Sequence, residues 1–98
     1  MDIRGIIWLD NVVEKLGRLH NVARVEVEAV FLNKPEFRRG PKGKRPGENL
    51  YYALGQSDAG RYLFVVFVYK GNRRALIITA RDMNDREKSG CRRRRGYG

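Results

Sequence analysis

The sequence is poor in the residues that would staple, anchor or export it. It holds one cysteine, Cys91, so no disulfide can close within the chain, and a reducing cytoplasm is the expected setting. No second cysteine or histidine stands at ligand spacing from Cys91, which argues against a zinc site; no metal and no other cofactor is expected. Long apolar runs are missing. The longest, residues 62–69, is strand-sized, against the roughly 20 residues of a membrane-crossing helix. Residues 1–8 are short and interrupted by Asp2 and Arg4, which does not suit a secretion signal. Gly55, Gly60 and Gly71 fall where hairpin turns are expected rather than between a strand and a helix, so a glycine loop for a nucleotide phosphate has no support. Ser57 and Ser89 lack a neighbouring base, which leaves a serine nucleophile equally unsupported.

Acidic residues are also scarce: 11 Asp and Glu stand against 21 Lys and Arg, for a net charge of +10 over 98 residues. A field of that size attracts polyanions, and the attraction falls with salt. The imbalance is not uniform. Residues 1–33 carry Arg4, Lys15, Arg18 and Arg24 against five acidic side chains, so the excess lies downstream of Asn33. Four Phe, five Tyr and one Trp supply enough apolar bulk for a single core, and the length suits one domain, expected over residues 1–91 with a frayed basic tail at 92–98.

Local patterns divide the chain. Residues 3–8 read as a short strand. Asp10 can cap a helix in which Val12, Val13, Leu16 and Leu19 recur at helical spacing, ending near His20 and Asn21. Residues 22–32 fit two templates: Val25, Val27, Ala29 and Phe31 alternate with charged residues as a strand would, while Val22, Val25, Ala29 and Leu32 share a helical face. All three prolines, with Gly40, Gly43, Gly47 and six basic side chains, fall within residues 34–47, which read as a loop. A β-meander follows, over residues 50–54, 61–69 and 74–80. Its middle strand is apolar on both faces, so a second layer or a partner must cover the side away from the helices. Asn84 and Glu87 form a capping-box pair that opens a last helix, expected to reach about Cys91.

Several residues taken in order resemble the BrnT family of toxins: Trp8; His20 and Val22; Val30, Phe31, Asn33 and Pro35; Gly47 and Glu48; Tyr51 through Gly55 to Asp58, Ala59, Gly60 and Arg61; then Ala80, Arg81, Asp82, Met83 and Glu87. The resemblance spans nearly the whole chain and rests on order and spacing more than on any one motif. It implies a RelE-like α+β fold, in which two N-terminal helices pack on a small antiparallel sheet and a C-terminal helix follows, and it tips the reading of residues 22–32 to helix. It further implies endoribonuclease activity that blocks translation, and a neighbouring acidic antitoxin of the BrnA, ribbon-helix-helix type that forms a hetero-oligomer with the toxin. Three positions differ from the family pattern: Leu9 where Asp commonly follows the Trp, Asn21 where Gly follows the His, and Leu50 where Arg is frequent.

Cleaving RNA without a metal requires a proton acceptor for the 2′-hydroxyl, a donor for the leaving 5′-oxygen and cations on the phosphate. His20 is the only imidazole and the expected acid or base. Arg61 and Arg81 end neighbouring meander strands and are expected to flank one phosphate from the same sheet edge. Lys15 and Glu48 are expected to assist. Trp8, Tyr51 and Tyr52 could stack bases, and Arg38, Arg39, Lys42, Lys44 and Arg45 could hold the backbone of the RNA, whether free or on the ribosome. Each residue has a plainer structural reading. A histidine at a helix C-terminus suits the helix dipole, strand-end arginines pair with local carboxylates, and large aromatics fill cores. The rival to a nuclease is therefore a basic RNA- or protein-binding module of the same fold that does not cleave.

Overall fold

A computed structural model describes residues 1–41 and 49–94. The chain forms an α+β fold around one five-stranded sheet. In chain order the elements are β1 (Gly5–Ile7), α1 (Asp10–Lys15), a π-helical turn (Leu16–His20), α2 (Arg24–Leu32), β2 (Glu36–Arg39), β3 (Leu50–Gln56), β4 (Tyr62–Tyr69), β5 (Arg74–Asp82) and α3 (Asp85–Arg94). The strands lie in the order β1-β5-β4-β3-β2. β1 runs parallel to β5, and the remaining pairs are antiparallel. The sheet is thus the expected meander extended by one strand on each side.

Alternation along β4 builds two apolar layers. Leu63, Val65 and Phe67 are fully buried and meet Val12, Leu16, Val22, Val27 and Val30 of the helical layer, with Ala53, Ala75, Ile77 and Ala80 from the neighbouring strands. Phe31, Phe37 and Tyr51 close around Phe67, with ring centroids 5.3, 6.0 and 5.9 Å from it. Tyr62 and Phe64, on the other face, pack with Leu54, Tyr52, Met83 and Cys91 beneath α3. Three elements on one face and a helix over part of the other account for a middle strand that is apolar on both sides.

α2 is the helix that the resemblance implies, with Val27, Ala29 and Val30 turned inward. β2 departs from the loop reading of residues 34–47. It is only four residues, set between Pro35 and Gly40, too short for a periodic signal. Its edge position suits the charged Glu36, Arg38 and Arg39, which discourage pairing with a further strand. Gly55 also departs from expectation. It lies within β3, where a Cβ would stand 3.1 Å from Pro35 and 3.2 Å from Val30, so its lack of a side chain lets the α2 end of the molecule close on the sheet. Gly60 and Gly71 do sit in the hairpin turns, at φ of 88° and 82°. α3 opens on the reciprocal capping box: the Asn84 N–H donates to Glu87 Oε1 at 2.9 Å and the Glu87 N–H to Asn84 Oδ1 at 2.8 Å. The helix runs to Arg94, three residues beyond its expected end.

At α1 the capping residue is Leu9, not Asp10, which is already helical. Leu9 adopts the extended backbone of an N-cap (φ −94°, ψ 137°) but has no side-chain acceptor for the free N–H groups. An Asp at this position would supply one. Leu9 is 46% exposed, so little apolar contact opposes the change. Leu9→Asp is therefore expected to raise stability by about 1 kcal/mol, seen as a rise of roughly 4–8 °C in the melting temperature of a domain this size. An unchanged or lower melting temperature would contradict this account of the helix start.

Candidate functional site

The first helix does not remain an α-helix as far as His20. From Leu16 to His20 it widens into a π turn, closed by the Asn21 N–H on the Leu16 carbonyl and supported by the Val22 N–H on the same oxygen at 3.0 Å. Gly17 lies inside the turn with no atom near the position of a Cβ. In an α-helix, Lys15 and His20 would project about 140° apart. The i→i+5 spacing of a π turn brings residues five apart back toward one side, and such turns recur at functional sites. Both side chains are exposed. Asn21 then stops the helix in the left-handed region, at φ 52° and ψ 43°. Glycine adopts that region most readily and asparagine next, so Asn21 suits the backbone this stop requires.

Arg61, just ahead of β4, fixes this turn from below. Its Nε donates to Asp82 Oδ1 at 2.7 Å, and its Nη2 to Asp82 Oδ2 and to the His20 carbonyl, both at 3.1 Å. Nη1 donates to the Asn21 carbonyl at 2.7 Å and to the Glu26 carboxylate at 3.2 Å. The five N–H groups of a guanidinium are thereby all committed. Glu26 also accepts the Ala23 N–H at 3.0 Å and so caps α2. Ser57, buried in the β3–β4 turn, accepts the Arg61 N–H on its hydroxyl at 3.1 Å. The residues 58–61 that mark the family are thus a tight turn that delivers Arg61. Asn33 ties the same turn to the end of α2, donating to the Gln56 carbonyl at 3.0 Å and to Asp58 at 3.1 Å.

The expected clamp of Arg61 and Arg81 on one phosphate does not form, because the two lie on opposite faces of the sheet. Arg81 stands opposite Phe64 and its guanidinium lies 4.3 Å from that ring, on the α3 side. It is held there by Glu87 at 2.9 and 3.1 Å and by the Asp82 carbonyl at 2.9 Å. The cause is a β-bulge. Continuing the register of Val68 with Leu76 and Phe67 with Ile77 would set Arg81 opposite Leu63, on the helix side with Arg61. The irregularity between Val66 and Phe67 instead brings Asp82 opposite Leu63 and turns Arg81 away.

Asp82 takes the position next to Arg61 that was expected of Arg81. Hydrogen bonds from Arg61 hold its carboxyl below the ordinary value against the effect of burial, and the charges of Arg61, Lys88 and His20 add to the shift. The imidazole and Lys88 therefore both stand within electrostatic reach of Asp82. Lys88 and Asp82 were not picked out as functional from sequence. The signal for Lys88 lay in its place beside Glu87 in the first turns of a helix known to start after β5.

The proposed base platforms are packed side chains. Trp8 is half-buried, donates from Nε1 to Glu28 at 3.2 Å and lies beneath Arg24. Tyr51 lies against Phe67 on the helix side and Tyr52 against Phe64 on the other. Arg38 pairs with Glu36 and Arg39 covers Tyr51, so these neighbours also divide between the faces. Lys42, Lys44, Arg45 and Glu48 lie outside the described residues. Two grooves of about 620 and 550 Å³ run elsewhere, one between residues 1–4, ahead of β1, and the end of α2, the other at the β3–β4 turn. The turn carrying His20 lines neither of them, and an extended phosphodiester chain does not require an enclosed cavity.

Fold and site together define a small basic α+β protein that presents an imidazole and the Lys88 ammonium around Asp82 at one end of its sheet. Residues 8–87 match the family described as the ribonuclease toxin, BrnT, of type II toxin-antitoxin systems. The chain belongs to that family. No curated protein matches it. At the level of the family, the substrate is RNA and the partner an antitoxin.

The pH dependence of stability follows from the two ion pairs. Glu87, like Asp82, is held below its ordinary value, chiefly by hydrogen bonds from Arg81. A carboxyl depressed in the folded state stays ionised where the unfolded chain has already bound a proton. The stabilisation is present above about pH 5 and is lost as pH falls through about 4 and below. Asp82→Asn and Glu87→Gln are each expected to flatten the fall of melting temperature between pH 5 and 2. Slopes parallel to wild type would mean that these pairs contribute nothing.

Proposed function

We propose that this chain is a metal-independent endoribonuclease toxin in which His20 is the acid and base. The observation that carries this reading is the π turn, which exposes the only imidazole within electrostatic reach of Asp82, as Lys88 also is, and whose His20 and Asn21 carbonyls each accept a hydrogen bond from Arg61. His20 takes the proton from a ribose 2′-hydroxyl. The 2′-oxygen attacks phosphorus, and the imidazolium returns the proton to the leaving 5′-oxygen, giving a 2′,3′-cyclic phosphate and a free 5′-hydroxyl. Lys15 and Lys88 neutralise the charge that builds on the phosphate. Arg61 is a positioning residue, and Arg81 organises the start of α3.

Cleavage of RNA by such an enzyme in the cytoplasm arrests translation, and a BrnA-like acidic antitoxin of the ribbon-helix-helix type restrains it. Electrostatic steering by the net charge of +10 brings RNA to the site. A second reading, binding without cleavage, is favoured by one observation: both candidate phosphate arginines are committed to carboxylates.

Incubating the purified chain with RNA, with and without ribosomes, and mapping the ends separates the two readings. Cyclic-phosphate ends are expected, with His20→Gln slower by about 10²-fold or more. Intact RNA with wild type, or equal cleavage by His20→Gln, would establish the binding module instead. Arg61→Lys cannot reproduce the fork of donors. It is expected to lower both cleavage and melting temperature, whereas His20→Gln lowers cleavage alone; a fully active, fully stable Arg61→Lys protein would remove Arg61 from the site.

A further inference from the structure

α3 covers only part of its side of the sheet. Beneath it lie Leu54, Tyr62 and Phe64, together with Met83 and Cys91. Farther along the same face, Leu50, Val68 and Leu76 form one cross-strand row, and Val66 lies beside it between Tyr52 and Thr79. Leu50, Val66, Val68 and Leu76 are half-buried and belong to neither apolar cluster. Ile78, the extra residue of the β-bulge, is 42% exposed next to them. A run of five branched aliphatic side chains on a sheet face is the kind of surface that soluble proteins keep covered. Around it stand Arg38, Arg74 and Arg81, against Glu36 and Glu87.

We propose that this strip is the docking surface for the antitoxin, which lays an apolar segment flanked by acidic side chains across Leu50, Val66, Val68, Leu76 and Ile78. The proposal rests on membership of a toxin-antitoxin family and not on cleavage by His20. Charge selects this occupant over a second copy of the chain. Two such faces brought together would set the basic rim of Arg38, Arg74 and Arg81 against the same rim of the other copy, while an acidic segment would meet it with opposite charge. The surface lies across the sheet from the His20 turn, so an antitoxin docked here can hold the toxin tightly and leave a second part of itself free to reach the site.

The test uses the full-length chain co-expressed with the small protein encoded by the adjacent reading frame. Val66→Lys and Ile78→Arg are each expected to weaken the complex at least about tenfold, while Leu32→Arg, at a position 83% exposed on the helical side, leaves it unchanged. Melting temperatures check that the variants fold, and Ile78→Arg, at a largely exposed position, keeps the test valid if Val66→Lys does not. Wild-type affinity in Ile78→Arg would overturn the proposal. So would a free chain that sediments as a dimer dissociated by Ile78→Arg, which would assign the strip to a second copy. Val66 and Val68 methyl groups already shielded from a soluble paramagnetic probe in the free chain would likewise overturn it, by showing that another segment of the chain covers them. RNA cleavage by the same variants without the partner is expected to match wild type; a wild-type chain that does not cut RNA would defeat the nuclease reading and leave the affinity result standing.

Discussion

One guanidinium joins the parts of this molecule that meet at the end of its sheet. Arg61 leaves the β3–β4 turn and binds the last residue of β5, the first turn of α2 and the His20 and Asn21 carbonyls at the end of the π turn. Its side chain is 25% exposed, so the pairs with Asp82 and Glu26 are partly shielded from water and worth more than open surface pairs. Removing the cation would leave two carboxylates and two carbonyls facing one another. The position of His20 therefore depends on residues 26, 61 and 82 as much as on its own helix.

The same commitment limits what Arg61 can do. A guanidinium with all its donors occupied is a poor phosphate ligand, since each new bond must replace an existing one. The nuclease reading therefore rests on the lysines around His20 for charge, and on Arg61 for geometry. Arg81, on the far side, performs a similar task for α3. It joins the end of β5 to the Glu87 that caps the helix and lies over Phe64. The two arginines expected to form one clamp are two separate joints, one on each face.

Much of this was legible in the sequence. Helical spacing in residues 12–19, the Asn84 and Glu87 cap, and the three meander strands all rest on local chemistry, and local chemistry is what a sequence displays. The π turn was not legible, because its residues also fit an α-helix and the difference lies in one hydrogen bond to Leu16. β2 was hidden by the prolines and glycines around it. The opposition of Arg61 and Arg81 was lost for a sharper reason. Their adjacency follows from the antiparallel pairing, but their faces depend on register parity, and a single bulge near Ile78 reverses it. The carboxylate partners of both arginines, by contrast, were the plainer reading available from the start.

Arg61 holds the His20 turn in place from outside the helix. Amide hydrogen exchange in an Arg61→Gln protein tests it most directly. The account expects the Asn21 and Val22 amides, which close the π turn on Leu16, to lose protection while the amides of β3, β4 and β5 keep theirs. Unaltered protection at Asn21 and Val22 would show that the turn stands by itself, and would contradict the claim.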